Sequence, residues 1–243
     1  MGSSVKWMFG AGCYRQGRRV KKNSQWFLLG VCGWIGVAGA TTPADSLVYI
    51  SSTTEYVEVL PSEGVVLDLR YATTNNFMGV NLYGEFNRAF LHRDAAIKLN
   101  RASELLAKSR PGYKLLIFDA LRPRSVQQLL WDRVKGTAQQ PYVANPVSGS
   151  IHNFGFAVDL SIVDEAGNGL DMGTPFDAFE KLAQPRLEAQ FLKEGKLTEM
   201  QLQNRLLLRN IMTEAGFIQL PLEWWHFDAL PKREVKQQYT IVE

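Results

Sequence analysis

Two short motifs constrain this chain more than any other feature of its sequence. The first is Ser150-Ile151-His152-Asn153-Phe154-Gly155-Phe156-Ala157-Val158-Asp159, and the second is Glu223-Trp224-Trp225-His226. The chain has three histidines, and two of them, His152 and His226, lie in these motifs. Two imidazoles and the Asp159 carboxylate would give a divalent metal three ligands and leave one position open for water. The motifs therefore predict that His152, Asp159 and His226 converge on a metal ion.

The first motif is more specific than its two metal-binding side chains alone. Its pattern, Ser-x-His-x-x-Gly-x-Ala-x-Asp, fixes several positions at once. Gly155 would let the backbone turn sharply between His152 and Asp159, because glycine tolerates conformations that other residues avoid. Two histidines and an aspartate also bind iron or cobalt, so the ligand types favour zinc without fixing the metal.

Glu223 precedes His226 closely enough to act as the general base of a metal-assisted hydrolysis. Residues three apart on a regular strand face opposite sides of the sheet. Glu223 is therefore expected in a loop or bulge just before a strand that carries His226. The alternative for this segment is a core strand whose aromatic residues are buried and whose histidine binds nothing.

The first 40 residues have the composition of a targeting segment. They contain six basic residues and no acidic ones, with an apolar run from Trp26 to Gly39 that ends in Ala38-Gly39-Ala40. The apolar run is shorter than the roughly 20 residues that span a membrane. We therefore expect residues 1–40 to be a secretory signal peptide and the protein to be periplasmic or otherwise exported. An uncleaved N-terminal membrane anchor is the alternative.

Without residues 1–40 the chain is acidic and contains no cysteine. The full sequence has 27 Lys and Arg against 24 Asp and Glu, and six of the basic residues precede residue 41, which leaves a net charge of −3. This balance excludes the basic patch of a nucleic-acid-binding protein. Cys13 and Cys32 both lie in the first 40 residues, so the remainder forms no disulfide. We expect residues 41–55 to be a short linker and residues 56–243 one domain, with no stable membrane association after signal cleavage.

Hydrophobic periodicity predicts strands and helices in a mixed order. Runs of β-branched and aromatic residues predict strands over residues 56–60, 65–69, 114–119, 157–163, 217–220 and 224–229. Apolar residues at helical spacing predict helices over residues 94–108, 124–134, 174–182 and 196–215. Because the two types do not alternate regularly, we expect an α+β domain with a central, mainly antiparallel sheet flanked by helices and the metal site at the sheet.

Residue type alone does not assign a role to two arginines and the third histidine. Arg70 ends a predicted strand, and Arg122 follows another in Asp119-Ala120-Leu121-Arg122-Pro123. Each fits a solvated or ion-paired arginine as well as a functional one. His92 fits an ordinary surface residue.

Several motifs together resemble the zinc-dependent D,D-peptidases, the group that includes D-alanyl-D-alanine carboxypeptidases and dipeptidases. The two metal motifs resemble the whole group. Three further stretches resemble the dipeptidase branch: Asp68 to Thr73 with the Asn76-Phe77 and Gly79 that follow, Asp119 to Pro123, and Met172 to Asp177. The resemblance extends over nearly all of the chain that follows residue 55.

The resemblance implies a zinc peptidase domain that holds one zinc ion through His152, Asp159 and His226. It implies Glu223 as the general base, which takes a proton from the attacking water and returns it to the leaving amine. It also implies Arg70 as the group that stabilises the developing oxyanion.

Two further residues have roles that the resemblance alone implies. Ser150 would help to bind the substrate carboxylate, and Asp177 would bind its free ammonium group. The expected partner is thus a small D,D-dipeptide, D-Ala-D-Ala, with a D,D-carboxypeptidase or endopeptidase of intact peptidoglycan as the nearest alternative. A non-catalytic wall-binding module is a third alternative, which Glu223 disfavours because binding alone needs no base. The sequence does not fix the oligomeric state.

Overall fold

Helices and strands alternate irregularly along residues 42–243, the part of the chain that the computed structural model describes. These residues belong to one compact unit. The α-helices are α1 (Pro43–Ser52), α2 (Arg93–Ser109), α3 (Arg124–Val134), α4 (Glu188–Lys193), α5 (Glu199–Glu214) and α6 (Lys232–Gln238). The expected signal peptide, residues 1–40, lies outside the described part.

The strands form one five-stranded sheet and one two-stranded sheet. They are β1 (Tyr56–Val59), β2 (Val65–Leu67), β3 (Ala89–His92), β4 (Lys114–Asp119), β5 (Ala157–Val163), β6 (Ile218–Gln219) and β7 (His226–Asp228). The larger sheet has the order β2-β4-β5-β7-β6, and β1 pairs with β3. Only β2 and β4 are parallel in the larger sheet. The described residues thus confirm the predicted α+β class with a mainly antiparallel sheet.

Strand β5 lies at the centre of the larger sheet, and every one of its residues is buried. Asp159 of β5 is directly opposite His226 of β7 on one side and Asp119 of β4 on the other. Directly opposite residues of antiparallel strands project from the same face of a sheet. The register therefore places these three polar side chains together on one face.

Helix α2 covers part of this core, as its periodicity predicted. Ala95, Leu99, Ala102 and Leu106 lie at helical spacing and are all buried, which is the apolar stripe of a helix that packs on one face. The helix contacts β1, β3, β4 and α5. Within residues 42–243, none of the helices combines the length and the apolar character that crossing a membrane requires.

The segment expected to be a linker contains helix α1. Its start is encoded locally, because the Thr42 side chain accepts a hydrogen bond from the Asp45 amide and Pro43 occupies the first turn. The helix is attached to the rest of the unit, since Ile50 is buried in the core and the Ser46 hydroxyl donates to the Glu243 carbonyl oxygen. Part of the expected linker is therefore a packed element.

Residues 174–182 do not form the predicted helix. They form turns and the start of a short 3-10 helix at Lys181–Ala183. The buried Arg205 side chain fixes both sides of this segment: Nε donates to the Met172 carbonyl oxygen at 2.6 Å, and Nη1 donates to that of Leu182 at 3.0 Å. These tertiary hydrogen bonds outweigh the helical spacing of the apolar residues.

His92 is not the surface residue that its neighbours suggested. It ends strand β3, which the periodicity did not predict, and its Nδ1 accepts a hydrogen bond from the Asp94 amide at the start of α2. Its ring stacks on Phe156, with 4.3 Å between the ring centroids. His92 therefore has a structural role where the two sheets and α2 meet.

Candidate active site

Three side chains at one face of the larger sheet form a compact cluster. They are His152, Asp159 and His226, and we call them the metal group. His152 Nε2 lies 3.1 Å from His226 Nδ1, His226 Nδ1 lies 3.0 Å from Asp159 Oδ1, and Asp159 Oδ1 lies 3.3 Å from His152 Nε2. A metal with ligands at 2.0–2.1 Å in tetrahedral directions would separate those ligand atoms by about 3.3 Å. The structure thus brings together the three residues that the motifs predicted, in an arrangement that fits a metal ion.

The hydrogen bonds of the two imidazoles leave the inward nitrogens free to bind a metal. His152 Nδ1 lies 2.6 Å from the Ala120 carbonyl oxygen, and His226 Nε2 lies 2.9 Å from Asp228 Oδ1. Carbonyl and carboxylate oxygens only accept, so these outer nitrogens carry the protons. The inward Nε2 of His152 and Nδ1 of His226 then present lone pairs to the Asp159 carboxylate. Three acceptors this close repel one another unless a proton or a metal ion lies between them, so the donor set fits a metal ion.

The ionisation of Asp159 suits a metal ligand. Burial disfavours its charged form, but in the metal-free site positive charge on the facing imidazoles of His152 and His226 outweighs that effect and holds the pKa of Asp159 well below its usual range. Asp159 is therefore a carboxylate throughout the neutral pH range. A bound metal ion would add to this preference, because an opposite charge favours the ionised form.

Gly155 allows His152 and Asp159 to reach the same point. His152 lies in a short 3-10 helix, Ile151–Phe154, and Gly155 ends that helix with a φ of 74°. A Cβ at this position would lie 2.8 Å from the His92 backbone nitrogen. Only glycine fits both the left-handed conformation and the close contact. The turn predicted between the two ligands is thus present.

A cavity of about 250 Å³ opens beside the three ligands. The sequence-predicted residues Ser150, Asp177 and Glu223 all line it, together with Arg122, Asp228 and Tyr71. The site therefore collects side chains from the β5 and β7 strands, from the segment before β5, and from three loops. The fold itself brings these residues together around one cavity.

Glu223 lies in the loop between β6 and β7, as expected from its distance to His226. It is 6% exposed. Burial, followed by the charges of Asp159 and Asp177 and opposed by His226, raises the pKa of Glu223 to about 8. A carboxylate with a raised pKa beside a metal site is suited to accept and return a proton near neutral pH.

Asp177 presents an unpaired acceptor to the same cavity. Its Oδ1 accepts a hydrogen bond from the Tyr71 hydroxyl at 3.0 Å, whereas Oδ2 is buried without a partner among the described residues. Its backbone has a φ of 61°, the one positive value among the described non-glycine residues. Burial, assisted by the Asp159 charge, raises the pKa of Asp177 to about 8. A buried acceptor without a partner is costly, and a ligand with a donor would satisfy it.

Ser150 lies at the cavity wall just before His152 and is 8% exposed. Its hydroxyl oxygen accepts a hydrogen bond from the His152 amide, with 3.4 Å between the atoms, and so caps the 3-10 helix. The Asn153 side chain accepts the Ser150 amide hydrogen at 2.7 Å. Ser150 therefore fixes the backbone of the His152 segment, and its hydroxyl hydrogen remains available to a ligand.

Arg70 does not line this cavity, which corrects its expected position. Its Nε pairs with Asp68 Oδ2 at 2.8 Å, and its guanidinium lies 4.6 Å from the centre of the Phe118 ring. It lines a separate cavity. Arg70 is the first residue of a short 3-10 helix, and the next residue, Tyr71, points to the metal group instead.

Arg122, in contrast to Arg70, lines the cavity beside the metal group. Its Nη2 lies 3.5 Å from Asp159 Oδ2, the carboxylate oxygen that faces away from the imidazoles. Asp119 Oδ2 accepts hydrogen bonds from Arg122 Nε at 2.8 Å and from Arg122 Nη2 at 2.6 Å. Gln127 accepts from Nη1 at 2.9 Å, and the guanidinium carbon lies 4.9 Å from the centre of the Tyr71 ring. Arg122 is therefore a buried, firmly oriented cation at the metal group.

Two other residues of the site were missed in the sequence. Asp228 binds His226 from the same strand, and its signal was the period of two in His226-Phe227-Asp228, which puts both side chains on one face. Tyr71 binds Asp177 from a distant part of the chain, and no sequence pattern connects the two.

Known proteins match this chain over most of its length. The family model described as D-ala-D-ala dipeptidase matches residues 53–243. A D-alanyl-D-alanine dipeptidase of Escherichia coli is 35% identical over 182 residues, which cover 74% of this chain and 86% of that protein. A D-alanyl-D-alanine dipeptidase of Enterococcus faecium is 31% identical over 181 residues, which cover 68% of this chain and 85% of that protein. These matches confirm the resemblance carried by the motifs, and the chain is a peptidase that belongs to the D-Ala-D-Ala dipeptidase family.

Proposed function

We propose that this protein hydrolyses the dipeptide D-Ala-D-Ala with one zinc ion, using Glu223 as the general base and Arg122 as the oxyanion stabiliser. The observation that carries the proposal is the shared cavity, in which the metal-binding group, a buried carboxylate and an oriented guanidinium face one another. The names of the related dipeptidases support the choice of substrate.

His152, Asp159 and His226 would hold the zinc ion, which when bound acts as a Lewis acid and lowers the pKa of a coordinated water. The protein's own part is to hold the outer nitrogens of both imidazoles as hydrogen-bond donors, to the Ala120 carbonyl and the Asp228 carboxylate, so that the inward nitrogens face the metal position. Partners of this kind orient metal-binding imidazoles and raise their basicity.

Glu223 supplies the proton transfers of the proposed reaction. Its carboxylate takes the proton of the attacking water and later gives it to the leaving amine. Glu223 is almost fully buried, which limits its contact with bulk water. The raised pKa of Glu223 makes its protonated form accessible near neutral pH, which the second transfer needs.

Arg122 provides positive charge where the carbonyl oxygen becomes negative. Its orientation is fixed before any substrate arrives, because Asp119 and Gln127 bind it from the protein side. Preorganised donors at a developing oxyanion typically contribute a few kcal/mol to catalysis. Arg70, which pairs with Asp68 and lines another cavity, has no such access.

Each end of a dipeptide has a possible hydrogen-bond partner in the cavity. The unpaired Oδ2 of Asp177 would accept from the substrate ammonium group, and the Ser150 hydroxyl would donate to the substrate carboxylate. The cavity, at about 250 Å³, is smaller than the roughly 300–1,000 Å³ of pockets for drug-sized ligands. Both features favour a dipeptide over a D,D-carboxypeptidase or endopeptidase substrate attached to peptidoglycan.

The test compares substrates and metal states. The purified protein, with zinc bound, is incubated with D-Ala-D-Ala and with a muropeptide that ends in D-Ala-D-Ala, each with and without a chelator. We expect chelator-sensitive release of D-alanine from the dipeptide and none from the muropeptide. Release from the muropeptide alone would support the carboxypeptidase alternative, and binding without hydrolysis would support a wall-binding module.

We also propose that the protein is exported and acts on wall-derived dipeptide, as a step of turnover or nutrition. Support comes from the basic, apolar and small-residue order of residues 1–40. Cell fractionation would place the protein in the periplasm or outside the cell. N-terminal sequencing would separate a cleaved signal from the alternative membrane anchor, and recovery of the full-length protein from the cytoplasm would contradict export.

A further inference from the structure

A second cavity, of about 180 Å³, lies next to the candidate active site. Its walls are mostly apolar, with Leu116, Phe118, Met172, Phe176 and Trp224 among the lining residues. Neither the metal group nor Glu223 lines it. The proposed hydrolysis uses no part of this cavity.

The wall between the two cavities is made of three pairs of consecutive residues. Arg70, Phe176 and Trp224 line the second cavity. Their immediate successors, Tyr71, Asp177 and Trp225, line the active-site cavity. A ligand in the second cavity would therefore be separated from the reaction by the backbone of these segments.

Arg70 gives the second cavity its charge. It is the one charged residue among the described residues that line this space. Its Nε pairs with Asp68, and neither terminal nitrogen has a hydrogen-bond partner within residues 42–243. Its guanidinium lies over the Phe118 ring, which holds it at the wall. The two terminal nitrogens of Arg70 are thus free to donate to a carboxylate. A carboxylate complements a guanidinium group in both geometry and charge.

The remaining polar groups of the second cavity are hydroxyls. Ser161 and Thr174 line it and are buried, and the Thr174 oxygen accepts the Trp224 Nε1 hydrogen at 2.9 Å. Hydroxyls donate to a carboxylate as well as to water. No acidic side chain of the described part lines the cavity, so no carboxylate there would pair with an ammonium group.

We infer that the second cavity binds a short-chain monocarboxylate, with its carboxylate on Arg70 and its alkyl group against Phe118 and Phe176. The volume leaves room for a ligand of a few non-hydrogen atoms, since a site for one water needs only about 10–15 Å³. An amino acid would bring an ammonium group that has no carboxylate partner there.

Nuclear magnetic resonance tests this inference without any turnover. The zinc-loaded protein is titrated with propionate, and the indole N–H signals of Trp224 and Trp225 report on the two cavities separately. We expect a saturable shift of the Trp224 signal. A parallel titration with D-alanine should give weaker binding, because the cavity offers no carboxylate to the ammonium group.

Two variants locate the site, and a third serves as the control. Arg70→Gln removes the charge and Leu116→Phe fills the space, so each should weaken propionate binding at Trp224 about tenfold or more. Arg101→Gln removes an exposed arginine of α2 and should change nothing. A shift confined to Trp225, tighter binding of D-alanine, or an unchanged affinity in both Arg70→Gln and Leu116→Phe would each overturn the inference. Because the readout is binding at Trp224, it is independent of whether the protein cleaves D-Ala-D-Ala.

Discussion

Asp159 and His226 lie directly opposite each other on neighbouring antiparallel strands, with 3.0 Å between Asp159 Oδ1 and His226 Nδ1. One candidate metal ligand thus comes from the central strand and another from its cross-strand partner. Because the register of β5 and β7 fixes this pair, the pairing of the strands determines the relative position of these two side chains. His152, which comes from the segment before β5, completes the metal group.

Asp228 should control how tightly the metal is held. Asp228→Ala removes the carboxylate that orients His226 through Nε2, and losing such a partner typically weakens metal affinity by about 10- to 100-fold. Zinc affinity can be measured by competition with a chromophoric chelator. Asp132→Ala, an exposed change on α3, is the control. Equal zinc affinity in the two variants would show that Asp228 does not orient the ligand.

Arg122 and Arg70 should differ strongly in their effect on turnover. Arg122→Lys keeps a positive charge for Asp119 but loses the planar fork, and we expect kcat for D-Ala-D-Ala to fall about a hundredfold with a small change in KM. Arg70→Ala should leave kcat near that of the wild type. Steady-state kinetics of the two variants decide the matter. A large loss of kcat in Arg70→Ala with none in Arg122→Lys would instead give the oxyanion role to Arg70.

The cluster of His152, Asp159 and His226 could be predicted from the sequence because its signals are local. Strand β5 has the predicted bounds, and the strand that carries His226 lies within the aromatic segment 224–229 that was predicted to be a strand. Once both strands are known, the scarcity of histidine leaves few ways to build the site. The position of Glu223 in a loop followed from the strand period alone.

The choice between the two arginines could not be made in the same way. Arg70 and Arg122 both follow strands, and they differ in the side chains that each one contacts in the folded protein. Arg122 meets Asp119, Gln127 and Asp159, and Gln127 comes from the facing side of α3. The turns of residues 174–182 were missed for a related reason, since Arg205 on α5 supplies their hydrogen bonds from a distant part of the chain.

Gly155 should tolerate substitution less well than another glycine with the same conformation. Gly155→Ala adds a Cβ 2.8 Å from the His92 nitrogen, whereas Gly167→Ala adds one that meets nothing within 4 Å. Both carry the cost of a positive φ, roughly 1–2 kcal/mol, and only Gly155→Ala adds a collision with the backbone. Thermal unfolding should show a larger loss of stability for Gly155→Ala, and zinc affinity should fall with it. Matching losses in the two variants would mean that the close contact relaxes without cost.

The metal-free protein should lose stability as the pH rises, in part because of Asp177. Burial raises the pKa of Asp177 from 3.8 to about 8. Between these values the unfolded chain releases the proton and the folded protein keeps it, so its contribution to stability is complete below pH 4 and is lost as the pH rises towards 8. Asp177→Asn has no proton to lose. The melting temperature of the variant relative to the wild type should therefore increase from pH 4 to pH 8, and parallel curves would contradict a raised pKa.

The amino terminus of the substrate should decide whether it is cleaved. If Asp177 binds the ammonium group of D-Ala-D-Ala, an N-acetyl cap removes the charge that Oδ2 would accept from and adds bulk in a cavity of about 250 Å³. A buried charged group left unpaired costs several kcal/mol, so we expect kcat/KM for acetyl-D-Ala-D-Ala to be lower by about two orders of magnitude or more. Asp177→Asn should narrow this difference, because it weakens cleavage of the free dipeptide and leaves the capped one little changed. Comparable hydrolysis of both substrates by the wild type would favour the carboxypeptidase alternative and remove Asp177 from the substrate-binding residues.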